Sequence, residues 1–337
     1  DTTSLSTLLA NKGSDGFISL REAIAAINNT PAGSLPTLVN FSIAGSGVHT
    51  ITLASALPSI SRAVVIDGTT DSASFAANGN RPAIVLQGSG LADGGVGLEF
   101  DTGSSGSTVR GLSFQGIDLA IYLRSGSGGN TIAGNYIGPI QADGSYTGAA
   151  SAQTTWGVVV QSANNTIGGS TAADRNVISG LRSSGGGVYI LGAQATGNRV
   201  VGNYLGTDAG GTPLGLGGES VIIADGAHNN TVGGTAAGEG NLIAGSGLAG
   251  VWVTQSGTTG NAILGNTIHS NGGPGIRLED NAVTPNDAGD ADTGPNNLQN
   301  FPVLASVGLA GNQFTVAGSL NSEANKTYRI DYFGVPY

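Results

Sequence analysis

One short phrase recurs through the middle of the chain and constrains its fold more than any other feature. The phrase reads Asn, a polar or small residue, an apolar residue, a variable residue, Gly and often a second Asn. Its clearest copies begin at Asn130, Asn165, Asn198, Asn230 and Asn261, with a weaker forerunner at Ser107. Such repetition indicates a fold built from stacked, structurally equivalent units.

Two further phrases alternate with the first, so that each repeat holds three short pieces. The second phrase is Gly followed by apolar residues, and it begins at Gly157, Gly187, Gly250 and Gly275, with Ser220 in the same place once. The third is Asn, a variable residue and an apolar residue, and it begins at Asn176, Asn203, Asn241 and Asn266. The pieces are too short and too β-branched for helices, which predicts strands.

Three short strands in every repeat predict an all-β fold, a right-handed parallel β-helix with three strands per coil. In this fold, inward Val, Ile and Leu side chains stack on their counterparts one coil away. Gly and Asn occupy the left-handed corners that other residues avoid, and equivalent Asn residues are placed to bond to one another as a ladder. A leucine-rich solenoid fits less well because its leucine spacing is missing.

The segments that flank the repeats have patterns of their own. Residues 19–22 read Ser-Leu-Arg-Glu, the form of a capping box. Apolar residues then follow the i, i+3, i+4, i+7 spacing of one helix face, so we predict an amphipathic helix over about 19–28 that caps the β-helix. Near the other end, alternation over 313–318 and 327–333 predicts two β-strands that extend the fold.

These patterns divide the chain into three parts. Residues 1–60 form an N-terminal cap that contains the helix and the first strands. Residues 61–300 form the parallel β-helix. Residues 301–337 hold the C-terminal strands, and we expect them either to pack on the last coil or to begin a further β domain, because two strands are too few to be stable alone.

Several phrases resemble those of large bacterial surface proteins built on β-helix repeats. Residues 18–24, Ile-Ser-Leu-Arg-Glu-Ala-Ile, are similar to the Cys-Ser-Leu-Arg-Glu-Ala motif at the start of those proteins, with Ile18 in place of the Cys. Further similar phrases cover 202–207, 229–234, 287–304 and 328–333. The resemblance covers nearly the whole chain and implies a right-handed β-helix on a secreted or surface protein. It implies no agreed activity, since fold alone does not determine function.

The charge and composition narrow the range of partners. The formal net charge is −10, and no run of Lys and Arg is present, which disfavours nucleic acid and anionic membranes as partners. No stretch of 18 apolar residues occurs, so we expect no membrane-spanning segment. Cys is absent, which removes disulfides and zinc thiolates.

The start of the chain and its richness in Ser, Thr, Asn and Gly bear on where the protein is located. Met is absent, and the chain starts at Asp1. We therefore expect either a processed chain, for example after removal of a signal peptide, or a chain given without its start. The composition fits an exported protein, and we predict an extracellular or cell-surface location.

The densest acidic cluster, over 286–294, is the candidate metal site. Asp and Asn oxygens alternate there with Gly between them, as in loops that hold Ca²⁺, although the spacing is not that of an EF-hand. Glu279 and Asp280 lie near in sequence, and a solvated acidic turn is the alternative. The predicted ligands of a structural Ca²⁺ are Asn286, Asp287, Asp290 and Asp292.

The sequence contains no complete catalytic set, so we assign no catalytic or cofactor-binding residue. A polysaccharide hydrolase of this fold needs two or three convergent carboxylates. Acidic residues fall in turns of different coils, where stacking can bring them to one face: Asp174, Asp208, Asp225 and Glu239. Aromatic residues that would either stack on sugars or simply pack are Tyr136, Trp156, Tyr189, Tyr204 and Trp252.

We therefore predict a structural or adhesive module of an extracellular bacterial protein. Its partners would be other copies of itself, as in a fibre or sheath, or other surface proteins. The alternative is a protein that binds polysaccharide or degrades it as a lyase or hydrolase.

Overall fold

The repeats fold into three long parallel sheets, which make the chain a parallel β-solenoid, as the sequence predicts. The computed structural model describes residues 3–31, 36–89, 91, 95–141, 143–145, 154–182, 185–279 and 283–332. From the second coil onward, each coil contributes one strand to each sheet in turn. Neighbouring strands in a sheet therefore belong to successive coils.

Sheets A and B each contain eight strands. Sheet A consists of β1 (Thr37–Asn40), β3 (Val64–Asp67), β6 (Thr108–Arg110), β9 (Thr131–Ala133), β12 (Thr166–Gly168), β15 (Arg199–Val201), β18 (Thr231–Gly233) and β21 (Ala262–Leu264). Sheet B consists of β2 (His49–Thr52), β4 (Ile84–Gln87), β7 (Leu112–Gln115), β10 (Tyr136–Ile137), β13 (Val177–Ile178), β16 (Tyr204–Leu205), β19 (Leu242–Ala244) and β22 (Thr267–His269).

Sheet C contains seven strands and closes each coil from the second onward. It consists of β5 (Val96–Phe100), β8 (Leu119–Leu123), β11 (Trp156–Val160), β14 (Val188–Leu191), β17 (Val221–Ala224), β20 (Val251–Val253) and β23 (Ile276–Leu278). No helix among the described residues is long and apolar enough to cross a membrane.

The core is a column of aliphatic side chains between the three sheets. In sheet A, for example, one inward residue from each of four successive coils lies in register and is fully buried: Ile132, Ile167, Val200 and Val232. Because the side chains of a strand alternate between its two faces, the intervening residues point outward. The stacking of equivalent residues predicted from the repeats is confirmed.

Two asparagine ladders run along the corners of the solenoid. In both, the Oδ1 atom of each Asn after the first accepts hydrogen bonds from the backbone N–H and the side-chain amide of the equivalent Asn one coil earlier. The first ladder, before sheet A, contains Asn130, Asn165, Asn198, Asn230 and Asn261. The second, before sheet B, contains Asn135, Asn176, Asn203, Asn241 and Asn266. All ten are at most 6% exposed, so their amides are partnered by the fold and unavailable to ligands.

The first ladder continues one step beyond the last coil. The backbone N–H of Asn261 donates to Oδ1 of Asn296 at 3.0 Å, and Nδ2 of Asn296 donates to the carbonyl of Asn261 at 2.7 Å. Asn296 lies in a short 3₁₀ segment, Pro295–Leu298, not in a coil. This segment therefore ends the ladder.

The N-terminal helix predicted over 19–28 is present. Helix α1 spans Leu5–Ala10 and helix α2 spans Leu20–Asn29. The capping box forms as expected, since the Ser19 N–H donates to Glu22 at 2.9 Å and the Glu22 N–H donates to Ser19 Oγ at 3.3 Å. Buried residues of α2 join the same hydrophobic core as the strands: Leu20, Ile24 and Ile27.

The second coil carries a further helical insertion between its sheet A and sheet B strands. A 3₁₀ turn over Gly68–Thr70 is followed by helix α3, Ser72–Ala77. Asp71 begins α3, where its side chain accepts from the Ser74 N–H at 3.4 Å. This insertion projects from the A–B corner of the solenoid.

The C-terminal strands form an antiparallel hairpin, β24 (Val303–Ala310) and β25 (Gln313–Ser319). The sequence predicts the second of these strands but not the first. The described part of the other predicted strand, 327–332, forms no strand, and β25 pairs with the segment that precedes it. A two-residue connection with Gly311 at a positive φ of 62° brings those two segments together locally.

Candidate functional site

The predicted metal ligands lie in an acidic turn after the last coil. Asp287, Asp290 and Asp292 each bring one carboxylate oxygen within 4.8 Å of the others. Asn300, only 3% exposed, organises this turn. Its backbone N–H donates to Oδ1 of Asp290 at 2.8 Å, and its side-chain amide donates to the carbonyl of Asp287 at 2.8 Å.

One carboxylate of the turn lacks a hydrogen-bond partner. Oδ1 of Asp292 is buried, and within the described residues no donor reaches it. Burial, together with the negative charges of Asp287 and Asp290, raises the pKa of the Asp292 carboxyl. The three carboxylates together therefore favour the uptake of a positive charge, either a proton or a cation.

The fourth predicted ligand, Asn286, has a different set of contacts. Its Nδ2 donates to the carbonyl of Phe301 at 2.8 Å, and its Oδ1 accepts from the Phe301 N–H at 2.9 Å. The Asn286 side chain thus ties the acidic turn to the start of the hairpin. Glu279 accepts a hydrogen bond from Trp252 through its backbone carbonyl, and Asp280 lies outside the described residues.

Two of the scattered acidic residues considered for catalysis, Asp208 and Glu239, are held by hydrogen bonds within the protein. Asp208 accepts from the N–H groups of Gly210 and Thr212 at 2.9 and 2.8 Å, which shapes its own turn. Glu239 pairs with Arg199 at 2.5 Å, and this bond holds the pKa of Glu239 below its usual value. The acidic turn at 287–292 is the one group of three carboxylates in the part of the chain that the structure describes.

A row of outward residues on sheet C joins several of the predicted aromatic residues. Successive strands place these five in register: Tyr122, Val159, Tyr189, Ile222 and Trp252. Neighbours in such a row lie about 4.8 Å apart. We refer to these five residues as the sheet C strip.

Other side chains support the sheet C strip at both ends and at its middle. Trp156 stacks on Tyr189 with ring centroids 5.1 Å apart. Arg124 lies 4.6 Å from the centre of the Tyr122 ring, and Arg277 lies 4.3 Å from that of Trp252. The strip is therefore a row of three half-buried aromatic rings, separated by the buried Val159 and Ile222, with an arginine against the ring at each end.

The two remaining predicted aromatics, Tyr136 and Tyr204, lie on sheet B, in register with Val177 between them. The five aromatics therefore belong to two separate faces. Tyr122 was not among the predicted aromatics, although 120–123, Ala-Ile-Tyr-Leu, has the same pattern as 187–190, Gly-Val-Tyr-Ile. That pattern was the signal that could have placed it in the strip.

Comparisons with family models, curated proteins and solved structures found no match. The likeness to bacterial surface proteins consequently rests on the phrases in the sequence.

Proposed function

We propose that this chain is a structural or adhesive module of an extracellular bacterial surface protein, built as a stiff rod of stacked coils. The observation that carries the proposal is the pair of unbroken asparagine ladders beside a continuous aliphatic core.

Stiffness follows from the way the coils are joined. Each coil contacts its neighbours through three parallel ladders of backbone hydrogen bonds and through two buried amides. A buried donor or acceptor left without a partner costs about 1–3 kcal/mol. Coils that separate or slide expose several such groups at once, and this energetic penalty supports a mechanical role.

The remaining features of the proposed rod are its handedness and its cap. We expect right-handed coils, because parallel strands of one sheet are almost always joined by right-handed connections. We also expect α2 to seal the N-terminal end, because its apolar face joins the core of the solenoid. The resemblance of residues 18–24 to a motif of surface proteins supports the extracellular location.

The hairpin supports self-association. Cross-strand pairs place four apolar side chains on one of its faces: Val307, Leu309, Phe314 and Val316. Leu309 and Phe314 are 64% and 71% exposed. Exposed apolar strands with unpaired edges tend to pair with another chain, and the same face on a second copy would be self-complementary.

Sedimentation of the purified chain with Ca²⁺ and with EDTA, supported by electron microscopy, tests the structural role. We expect concentration-dependent assemblies that F314S weakens and that the matched control F17S leaves unchanged, since Phe17 is equally exposed but lies away from the hairpin. A strict monomer at high concentration would eliminate the self-assembling rod. An adhesive rod that binds other surface proteins would then have to be sought by pull-down.

The acidic turn supports a structural Ca²⁺ at the junction of rod and hairpin. Asp287, Asp290 and Asp292 supply hard oxygen atoms of the kind Ca²⁺ prefers, and the unpartnered Oδ1 of Asp292 is the strongest single observation. A bound ion would stabilise the folded chain by mass action. Thermal unfolding with and without Ca²⁺ measures this directly.

Polysaccharide binding is the second candidate, and the sheet C strip favours it. Aromatic rings in a row suit the apolar faces of sugar rings, and the partly exposed Arg124 beside Tyr122 is placed for polar contacts. We expect Y189A to abolish binding to neutral or acidic glycans in a glycan screen, with F17A as the surface control. Absence of any glycan binding by the unaltered chain would remove this candidate.

A further inference from the structure

A notch lies at the A–B corner of the solenoid, between two insertions. In the third and fourth coils this corner is short, a single Gly111 in one and 134–135 in the other. The second coil inserts 68–83, including α3, and the fifth inserts 169–176. The two insertions form the walls and the short corners form the floor of a cavity of about 260 Å³.

Three arginines line this cavity: Arg81 from one wall, Arg175 from the other, and Arg110 from the floor. The whole chain has only twelve Lys and Arg residues and a net charge of −10. A quarter of its basic residues thus meet in one small cavity, which makes the notch a local centre of positive charge on an acidic protein.

The protein neutralises these charges incompletely. Arg110 is the best compensated, with its Nε 3.7 Å from Asp67. Arg81 donates its Nε to the carbonyl of Asn78 at 3.1 Å, and Arg175 lies 3.9 Å from the centre of the Tyr204 ring. Over the described ranges, neither of the last two forms an ion pair.

Arg175 also carries a buried donor that nothing satisfies. Its Nε is buried and has no hydrogen-bond partner within the described residues. A buried charged donor without a partner is a substantial penalty. The protein thus keeps an incompletely satisfied guanidinium group in the lining of this cavity.

Four of the other lining residues carry hydroxyl, amide or aromatic groups, namely Thr69, Phe75, Asn80 and Tyr136, and the remainder are Pro, Gly and Ala. Burial raises the pKa of the Tyr136 hydroxyl, and the positive charges of Arg81 and Arg175 act in the opposite direction. The hydroxyl and the two guanidinium groups therefore share one electrostatic environment. Asp143 adds a weaker negative influence on Tyr136, and it is exposed.

We propose that this notch binds the carboxylate-bearing ring of an acidic sugar. A guanidinium is a planar fork that matches a carboxylate, and the hydroxyl and amide groups can pair with the hydroxyls of a sugar ring. The cavity is smaller than the roughly 300–1,000 Å³ of drug-sized sites, so it admits one ring. The site is independent of the rod and of the sheet C strip, which lies on another face.

Titration calorimetry at low ionic strength tests the proposal with sodium glucuronate and galacturonate, against glucose, galactose and inorganic phosphate. We expect the uronates to bind and the neutral hexoses not to bind. R81Q and R175Q should each weaken uronate binding at least tenfold, and R175K should weaken it as well, because Lys lacks the fork. The control R182Q, with an exposed guanidinium elsewhere, should bind like the unaltered chain.

The melting temperature of each variant shows whether the solenoid remains folded. Uronate binding that is absent, that equals hexose binding, or that R81Q and R175Q leave unchanged overturns the proposal. Phosphate binding as tight as that of the uronates would make the notch a general oxyanion site and overturn its assignment to sugars. Assembly of the rod is unaffected by any of these results, so the two proposals fail separately.

Discussion

The side-chain oxygen of Asn198 accepts two hydrogen bonds from Asn165, one from its backbone N–H at 2.9 Å and one from its side-chain amide at 2.8 Å. Both residues are fully buried. Asn165 in turn accepts the same pair of bonds from Asn130. Each ladder residue therefore accepts hydrogen bonds from the coil before it, and its own N–H groups depend on an acceptor in the coil after it.

Replacement of a ladder residue should consequently lower the unfolding free energy substantially. N165A leaves two buried donors of Asn130 without an acceptor, and at about 1–3 kcal/mol each we expect a loss of roughly 2–5 kcal/mol in unfolding free energy. Urea unfolding followed by circular dichroism measures it. The control N312A, exposed at the hairpin turn, should change stability by about 0.5 kcal/mol or less. Equal effects of the two variants would show that the ladder contributes nothing specific.

Two glycines with nearly the same φ allow the effect of steric crowding on stability to be measured separately from that of backbone strain. Gly168 and Gly192 have φ values of 96° and 91°, so Ala at either position meets a similar left-handed penalty of about 1–2 kcal/mol. A methyl group at Gly168 would overlap the carbonyl oxygen of Val201, whereas at Gly192 it meets nothing within 4 Å. We expect G168A to lose about 1–3 kcal/mol more than G192A through overpacking. Similar urea midpoints for the two would contradict close packing of the coils.

The buried ion pair beside the sheet C strip should contribute more to the unfolding free energy than the more exposed pair between Arg199 and Glu239. Arg277 and Glu219 are 2.7 Å apart, with side chains only 9% and 7% exposed. E219A leaves the Arg277 charge buried and unpaired, for an expected loss of about 3–5 kcal/mol. E239A, which breaks the more exposed pair with Arg199, should change the urea midpoint little. A larger effect of E239A would show that burial does not govern these pairs.

The acidic turn should make stability depend on pH and on Ca²⁺. The pKa of Asp292 is raised in the folded chain, so the folded state binds its proton more tightly than the unfolded state does. Stability from this group is present at low pH and is lost as pH rises from about 4. D292N should therefore raise the melting temperature at neutral pH without Ca²⁺ and have less effect near pH 3.

With Ca²⁺ at neutral pH, the unaltered chain should have a higher melting temperature than D292N. The ion would stabilise the unaltered chain at neutral pH, while D292N would lose most of that gain. D331N, at an exposed carboxylate outside the turn that pairs with Arg329, provides the control. Identical melting temperatures of the unaltered chain in Ca²⁺ and EDTA would remove the metal from the proposal.

Much of the fold was predictable because the determinants are local and repeated. The phrase that begins at Asn165 contains the ladder residue, the inward Ile167 and Gly168, a glycine at a corner where the coils approach closely. The capping box at Ser19 and Glu22 likewise acts over three residues. Each of these signals survives in any one copy and is strengthened by its neighbours.

The remaining features depend on pairings that no local pattern specifies. The partner of β25 was not predicted, because alternation marks a strand but not its neighbour. The notch was missed because it combines Arg81 and Arg175, which belong to insertions three coils apart. The predicted ligand Asn286 shows the same limit, since its contact with Phe301 crosses from the turn to the hairpin.

The closure of the first ladder by Asn296 has a consequence for how such a chain can vary in length. The final donor of the column is satisfied by the 3₁₀ segment, so the terminus is independent of the number of coils before it. Duplication of one interior unit, such as residues 199–230, would add one rung to each ladder and leave both ends intact. Recombination can thus change the number of coils by one whole coil at a time.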